Sequence, residues 1–407
     1  MLKWMRGAWA NRGSWPVKQS AVSKIIAYHV LGQPVWTPRR YESLAEQGYK
    51  KNVIVYRCVN LIARGAASVP WRLYKGMHEV GEHALLDLLH HPNPRQAGAS
   101  FIESVLAYLL LAGNSYVEMV KNSTGFPVEL YALRPDRMRV IPGNTGVPEA
   151  FEYSVNGEKR ILPVDSIRGH SSVLHLKYFN PLHDWYGLSP IEAALSAIDQ
   201  HNQVSGHNLA LLQNGGRPSG ALRVGPNQQN YTLTEDQREE LRNSLRDLYE
   251  GGDNAGRILV MEGDMDWREM GLSPKDLDFV EGKNMSAREI AQAYGVPSML
   301  VGVPGDATFS NYREARLHLW EDTILPLLDY LTDELNAWLA RQYGDALRLS
   351  YDIDGIPAFA VRRNEAWRKI QNVKFLTLNE KREAVGYAPL KGGDVLDFNN
   401  YKEKASK

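Results

Sequence analysis

The fold prediction for this chain rests on residues 284–339, NMSAREIAQAYGVPSMLVGVPGDATFSNYREARLHLWEDTILPLLDYLTDELNAWL. The first part predicts a helix over residues 284–294 that ends at Gly295-Val296-Pro297, because glycine suits the position after a helix and proline cannot continue one. A loop over residues 301–310 follows, with two glycines, one proline and one acidic residue. No enzyme motif lies in this segment, which is typical of a moving part and not of an active site.

A long helix is predicted after the loop, from Asn311 onward. Asn311 and Glu314 are three residues apart, as in a capping box that satisfies the first amide groups of a helix. Apolar residues then recur at helical spacing, so one face is expected to be buried. They are Ala315, Leu319, Ile324, Leu327, Leu328, Leu331, Leu335, Trp338 and Leu339. Pro326 removes one backbone hydrogen bond from this helix, and we predict a helix kink there.

The composition is typical of a folded protein made in a reducing compartment. The 407 residues are 43% hydrophobic and 23% charged, which suits two or three domains or one elaborated core. Cys58 is the single cysteine, so an internal disulfide framework is excluded. The N-terminal residues do not resemble a secretory signal, and the longest apolar run, residues 105–112, is too short to cross a bilayer. We therefore expect a soluble protein made in the cytoplasm.

Charge is unevenly distributed, although basic and acidic residues both total 47. Residues 1–75 hold 13 bases and 2 acids, residues 360–407 hold 11 and 6, and subtraction leaves 23 bases and 39 acids for residues 76–359. Two interpretations stay open. The acidic middle is a set of solvated faces, or it faces a polyanion that must not bind, while the basic arm contacts an acidic partner or a neighbouring subunit.

The first half of the chain predicts an α+β domain of antiparallel strands with helices on one side. A basic N-terminal arm, residues 1–49, precedes it, with one short helix at residues 41–47. Apolar spacing predicts helices at residues 53–67, 85–89 and 100–112. Strands are predicted at residues 71–74, 115–120, 128–133, 138–141, 151–155 and 173–176, with Asn156-Gly157 as a hairpin turn.

The second half predicts helices around a small insertion. Ser189 and Pro190 suit the N-cap and first position of a helix that reaches about residue 214. Residues 215–270 predict a small α/β unit, with a helix at 234–249 and strands at 220–224, 257–261 and 265–270, the last two as a pair. This unit has a thin apolar stripe and little core of its own, so oligomerisation is expected. Helices at 364–375 and 379–385 and a polar tail complete the chain.

No motif in the chain predicts catalysis, a metal site or a cofactor. The Gly-rich loop at residues 302–305 lacks the lysine of a phosphate-binding loop, and Gly187-Leu-Ser-Pro-Ile191 lacks the second glycine of a nucleophile elbow. Asp352-Ile-Asp-Gly355 predicts a turn, because the later ligands of a calcium loop are missing. The remaining candidates lack metal-ligand spacing or fall on a solvent face: His90, His91, Cys58, Asp264, Asp266 and Glu269.

Short motifs occur in a fixed order between residues 50 and 350. They are Tyr56-Arg-Cys-Val-Asn-Leu-Ile-Ala63, Val69-Pro-Trp-Arg-Leu-Tyr74, Leu85-Leu-Asp-Leu-Leu-His-His-Pro-Asn-Pro94, Gly113-Asn-Ser-Tyr-Val117, Leu133-Arg-Pro-Asp136, Val173-Leu-His175, Tyr186-Gly-Leu-Ser-Pro190, Asn214-Gly-Gly-Arg-Pro-Ser-Gly220, Tyr294-Gly-Val-Pro297, Ser310-Asn311, Glu314-Ala315 and Pro326-Leu327. In this order they resemble the portal, or head-tail connector, family of tailed bacteriophages, which includes gene transfer agent portals. The chain departs from the family pattern at His183-Asp184-Trp185, where a Gly-containing turn is common, and in its short C-terminal region.

The resemblance implies a structural protein and no enzyme. It implies a ring of twelve subunits at one capsid vertex, through which double-stranded DNA passes non-specifically during genome packaging and ejection. The implied partners are the major capsid protein, the terminase and a head-tail connector or adaptor protein, with no membrane and no cofactor. The implied location is a virion or gene-transfer-agent particle, after assembly in the host cytoplasm.

The resemblance also implies the parts of a portal-like subunit, with an α/β wing, a helical stem, a small α/β clip and a helical crown. The wing is implied at residues 50–187, the stem helices at 188–214 and 271–300, and the clip at 215–270. The long kinked helix and second part of the wing follow at 312–358, and the crown and tail at 359–407. A tunnel loop that projects into the DNA channel is implied at Val301, Gly302, Val303, Pro304, Gly305, Asp306, Ala307, Thr308, Phe309, Ser310 and Asn311.

Two other functions stay open from the residues alone. Residues 1–75 suit a nucleic-acid-binding regulator, because their bases would contact phosphates. An unrecognised hydrolase or phosphodiesterase would act through Ser189 or the acids near Asp264.

Overall fold

The computed structural model describes residues 37–144, 146–165, 170–213, 220–224, 234–237, 239–240, 243, 265–269, 279–304, 309–344, 346–371, 373, 375–385, 387 and 389–396. The chain divides into Met1–Thr37 and Pro38–Lys407, and every element below lies in the second unit. Most of the predicted basic arm lies outside the described residues. The short helix predicted at its end is confirmed as α1 (Tyr41–Leu44), continued by a π-helix, Ala45–Lys50. Among the described residues, no helix combines the length and apolarity needed to cross a membrane.

Three predicted helices build much of the main core. They are α2 (Val53–Ala67), α3 (Ala84–His90) and α4 (Gly98–Ala112). Asn52 caps α2, because its Oδ1 accepts hydrogen bonds from the amides of Ile54 at 3.0 Å and Val55 at 3.2 Å. The predicted apolar face of α2 is buried, and Cys58 within it is fully enclosed.

The described strands form four small antiparallel sheets, which confirms the α+β class. The strands are β1 (Trp71–Lys75), β2 (His78–Glu79), β3 (Asn114–Lys121), β4 (Pro127–Leu133), β5 (Met138–Pro142), β6 (Pro148–Val155), β7 (Glu158–Pro163), β8 (Val173–Lys177), β9 (Gly220–Val224), β10 (Met265–Glu269) and β11 (Leu347–Tyr351). Their orders are β11-β1-β2, β4-β3-β8, β5-β6-β7 and β10-β9. The sheet of β5, β6 and β7 covers a second, smaller apolar cluster around Tyr116 and Phe151.

Strands β2, β7 and β11 are additions to the sequence prediction. Asn156 and Gly157 form the predicted turn, with positive φ values of 52° and 88°, and β7 follows directly. Strand β10 pairs with β9, with Trp267 opposite Leu222. The predicted partner of β10 at residues 257–261 lies outside the described residues, as does most of the helix predicted at 234–249.

The later helices were predicted, but some of them begin or end at residues other than those predicted. They are α5 (Pro190–Ala193), α6 (Leu195–Gln213), α7 (Phe279–Ala293), α8 (Phe309–His318), the π segment (Leu319–Ile324), α9 (Leu325–Trp338), α10 (Ala360–Gln371) and α11 (Leu378–Ala384). Ser189 caps α5 as predicted, but the single helix expected to residue 214 is wrong, because Ala194 leaves helical geometry between α5 and α6. Helices α6 and α7 pack against each other.

The backbone of Gly113 lies directly against the backbone of Gly187, where β3 and β8 meet the start of α5. Gly113 ends α4 with φ 68°, and a Cβ on it would lie 2.6 Å from the carbonyl carbon of Leu188. A Cβ on Gly187 would lie 2.2 Å from the Gly113 oxygen. Asn114 Oδ1 accepts a hydrogen bond from the Gly187 amide at 2.8 Å and lies 3.0 Å from His175 Nε2. The crossing therefore fixes the start of α5 against β3 and β8.

A buried amide cluster joins α6 to the start of α2. Asn52 Nδ2 donates to Asn202 Oδ1 at 3.0 Å and lies 3.2 Å from His201 Nδ1. Asn202 in turn donates to the Gln47 carbonyl oxygen at 2.8 Å. Burial, with a smaller contribution from Lys283, lowers the pKa of His201, so its ring is neutral and Nδ1 accepts the hydrogen bond.

Candidate functional site

The candidate site is the helix, loop and helix of the opening segment, and its first fixed point is the end of α7. The Val296 amide donates to the Ala291 oxygen and the Gly295 amide to the Gln292 oxygen, both at 2.9 Å. Gly295 has φ 66°, and Val296 is buried. These are the two bonds of a Schellman motif, so the predicted helix end at Gly295 is confirmed.

The loop leaves α7 through buried anchors. A 3₁₀-helix, Ser298–Val301, ends at Gly302, which has φ 84°. Val303 is 7% exposed, and Arg288 Nη2 donates to the Pro304 oxygen at 3.0 Å. Val303 packs in the core and anchors the loop, and its assignment to the channel lining stays a prediction.

The remaining predicted loop residues fall into two groups. Residues 305–308 lie outside the described residues. Helix α8 begins at Phe309, so Phe309, Ser310 and Asn311 belong to its first turn and not to the loop. The predicted start at Asn311 with a capping box to Glu314 is therefore wrong, because a residue inside the helix has helical backbone and cannot be its N-cap. An Asn and a Glu three residues apart match the capping pattern wherever they occur along a helix, so the pattern alone does not locate the helix start.

The π segment lies between α8 and α9, next to the predicted kink. A π-helical turn bonds residue i to residue i+5 and holds one residue more than an α-turn. Pro326, the second residue of α9, lacks an amide hydrogen, and Ile324 and Leu325 before it already have helical backbone, so it lies inside the long helix directly after the π segment. Thr323 Oγ1 donates to the Gly295 oxygen at 2.6 Å, so the π segment also holds the end of α7. The kink angle at Pro326 stays a prediction.

Helix α9 is a fixed base for this segment. Trp338 Nε1 donates to the Ser171 oxygen at 2.9 Å, and the Tyr330 hydroxyl donates to the Lys177 oxygen at 3.1 Å. Ile324 packs on α2, because a Cβ added to Gly65 would lie 2.8 Å from its Cδ1. The loop is thus carried between two helices that are tied to the same core.

A surface ion-pair group ties α10 to this segment. Arg362 of α10 contacts Glu321 and lies 3.7 Å from Glu314, which ties α10 to the long helix. At the end of α7, burial raises the pKa of Tyr294, with smaller contributions from Cys58 and Tyr178, so Tyr294 is neutral. Neither feature provides an acid or base suited to catalysis.

The alternative chemical sites do not assemble in the part of the chain that the structure describes. Ser189 is buried and its Oγ accepts from the Glu192 amide at 3.2 Å, which is a helix cap and not a nucleophile. Asp352 accepts from the Asp354 amide at 3.1 Å and pairs with Arg72 at 2.8 Å, as expected for a turn. No group of three His, Cys, Asp or Glu side chains in these residues is placed to hold a metal ion.

Comparison with known proteins identifies the family. The family model described as phage portal protein matches residues 53–386. The chain belongs to the phage portal protein family. The predicted resemblance is therefore confirmed over the range in which the ordered motifs lie.

Individual relatives match most of the chain. An uncharacterized protein of Rickettsia bellii (strain RML369-C) is 43% identical over 350 residues, which are 86% of this chain and 90% of the relative. The portal protein of Enterobacteria phage HK97 is 24% identical over 414 residues, covering 97% of this chain and 92% of its own length. A chain in the neck of the native gene transfer agent (GTA) particle, computed with C12 symmetry, is 40% identical with a TM-score of 0.67, covering 91% of this chain and all of that one.

Proposed function

We propose that this chain forms a ring of twelve subunits at one vertex of a phage-like or gene-transfer-agent capsid, and that double-stranded DNA passes through the ring. The observation that carries the proposal is the portal family match over residues 53–386, together with the 40% identical chain in a neck of C12 symmetry. The ring is a homo-oligomer and part of the particle. Its work is structural, and the energy for DNA movement comes from a separate terminase.

The proposed channel contact is the loop between Pro304 and α8. The chain is anchored on both sides of it, because Val303 is buried before the loop and Ala315 and Leu317 are buried on α8 after it. Phe309 is the one bulky aromatic residue of the predicted tunnel loop, and we propose that it contacts DNA or the loop of the neighbouring subunit.

The other portal parts are proposed at the predicted bounds. The sheets and helices of residues 50–187 form the wing, α5, α6 and α7 form the stem, and β9 and β10 belong to the clip. An acidic inner wall would repel the phosphates of passing DNA, which lowers drag instead of creating a binding groove. The proposed protein contacts are the major capsid protein, the terminase during packaging, and an adaptor protein afterwards.

Electron microscopy of the purified chain tests the ring. We expect closed rings whose class averages show twelve-fold symmetry. A chain that stays monomeric at every protein and salt concentration would contradict the proposal.

A packaging assay tests the loop. Particles made with Phe309→Ala are expected to yield shorter or less nuclease-protected DNA, because the substitution removes the aromatic side chain of the proposed DNA contact. Phe375→Ala is the matched control, since Phe375 is 77% exposed and lies outside the segment. Full-length DNA at normal yield from the Phe309→Ala particles would show that the loop assignment is wrong.

A further inference from the structure

A loop between β8 and α5 presents two large apolar side chains to solvent. Phe179 is 86% exposed and Leu182 is 92% exposed. The Leu182 amide donates to Asn180 Oδ1 at 3.0 Å, and Lys177 Nζ donates to the backbone carbonyl oxygen of Asp184 at 2.5 Å. We call residues 179–184 the apolar loop. Large apolar side chains grouped on the surface are typical of a contact surface.

A groove with basic edges lies between α2 and the long helix. It has a volume of about 390 Å³, and its floor includes Leu61, Leu319 and Trp320. Arg57 and Arg316 line it and are exposed, and neither forms an ion pair with any described residue. We call this feature the arginine groove. An apolar floor with cationic edges suits an apolar segment that carries a carboxylate.

The apolar loop and the arginine groove are separate surfaces of the chain. Trp320 and Ile324 line the groove beside α2, whereas Asp322 and Thr323 line a second cavity together with Phe179. In a ring, one copy can therefore present the loop while the next copy presents the groove.

We propose that the apolar loop of one copy inserts into the arginine groove of the next copy around the ring. Phe179 and Leu182 cover the apolar floor, and the exposed Asp184 carboxylate pairs with Arg57 or Arg316 at the edge. A contact between two different surfaces of identical subunits is head-to-tail, and it closes into a ring when the rotation allows. This inference rests on the ring proposed above and names one contact that holds it together.

Removal of the apolar side chains gives the first test. The double variant Phe179→Ser/Leu182→Ser is expected to raise the protein concentration needed for ring assembly by about tenfold or more for each side chain lost. Met77→Ser is the matched control, because Met77 is 94% exposed on the turn between β1 and β2 and should assemble as the wild type. Mass photometry measures the assembled fraction, and circular dichroism confirms that each variant is folded.

A charge exchange gives the second test. Asp184→Arg and Arg316→Asp are each expected to weaken assembly, and the two changes together are expected to restore it, because the pair is re-formed with opposite sense. A wild-type ring that neither the apolar variant nor the charge variants weaken would overturn this contact and leave the ring intact. A wild-type chain that forms no ring would overturn the proposed function and this contact together.

Discussion

Replacement of Gly113 by alanine should destabilise the chain far more than its small size suggests. Gly113 has φ 68°, and a left-handed backbone costs a non-glycine residue about 1–2 kcal/mol. The added Cβ would also lie 2.6 Å from the Leu188 carbonyl carbon, 2.7 Å from the Ser189 amide nitrogen and 2.8 Å from the Gly187 oxygen. All three atoms are backbone and cannot rotate away, so overpacking adds about 1–3 kcal/mol. We expect Gly113→Ala to lower the free energy of unfolding by about 2–5 kcal/mol in total.

Gly76 separates the two contributions to this cost. It has φ 61°, close to that of Gly113, but a Cβ there meets no atom within 4 Å. Gly76→Ala should therefore show the backbone cost alone, about 1–2 kcal/mol. Urea unfolding followed by tryptophan fluorescence measures both variants against the wild type. If Gly113→Ala is no more destabilising than Gly76→Ala, the close crossing at Gly187 does not exist in solution.

Three further predictions concern the buried contacts. Burial, with a smaller contribution from Lys177, lowers the pKa of His175 to about 3. Below pH 6.5 the unfolded chain therefore binds a proton at this residue that the folded chain does not, and the free energy of unfolding decreases as the pH is lowered. In the His175→Gln variant the decrease between pH 7 and pH 5 should be smaller by about 2 kcal/mol. Asn52→Ala should lower the free energy of unfolding, measured with urea, by about 1–3 kcal/mol, because the cap of α2 and the bond to Asn202 are both lost. Asn52→Ser should cost less, because its neutral hydroxyl can keep the cap; equal costs would refute the cap. A Cβ on Gly295 would lie 2.6 Å from Thr323 Oγ1, so Gly295→Ala should lower the free energy of unfolding less in the Thr323→Ala variant than in the wild type. If the effects of the two substitutions on the free energy of unfolding simply add, this contact is contradicted.

Helices whose buried face and end are determined by residues close in sequence could be predicted from the sequence. The apolar stripe of α2 lies at helical spacing, and Gly295 ends α7, so both agree with the structure. Strand β11 was not predicted, although Leu347, Leu349 and Tyr351 alternate with polar residues, which is the local signal of a half-buried strand. Its partner could not be found in this way, because β1 lies far away in sequence and only the folded chain brings Leu349 opposite Leu73.

The candidate loop shows the limit of local patterns most clearly. Glycine and proline predicted where α7 ends and the loop begins, but the start of α8 was predicted at the wrong residue. An Asn that matches the capping pattern can also lie inside a helix, and the packing around it decides between the two positions. Burial of Val303 also has no local signal, since valine in a loop is apolar whether it faces solvent or core. The ordered motifs located the segment, and the three-dimensional structure decided which side chains are anchors.

The π segment also takes up one residue of the long helix. Because its wider turn holds one residue more than α-helical pairing requires, deletion of one residue within Leu319–Ile324 would restore that pairing and leave α8 and α9 in their present orientations. The same deletion in the last turn of α8 would instead turn the preceding part of α8 by about 100°, because each residue of an α-helix accounts for that angle, and the buried Ala315 would lose its surroundings. The π segment is thus the place where this helix tolerates a change in its length.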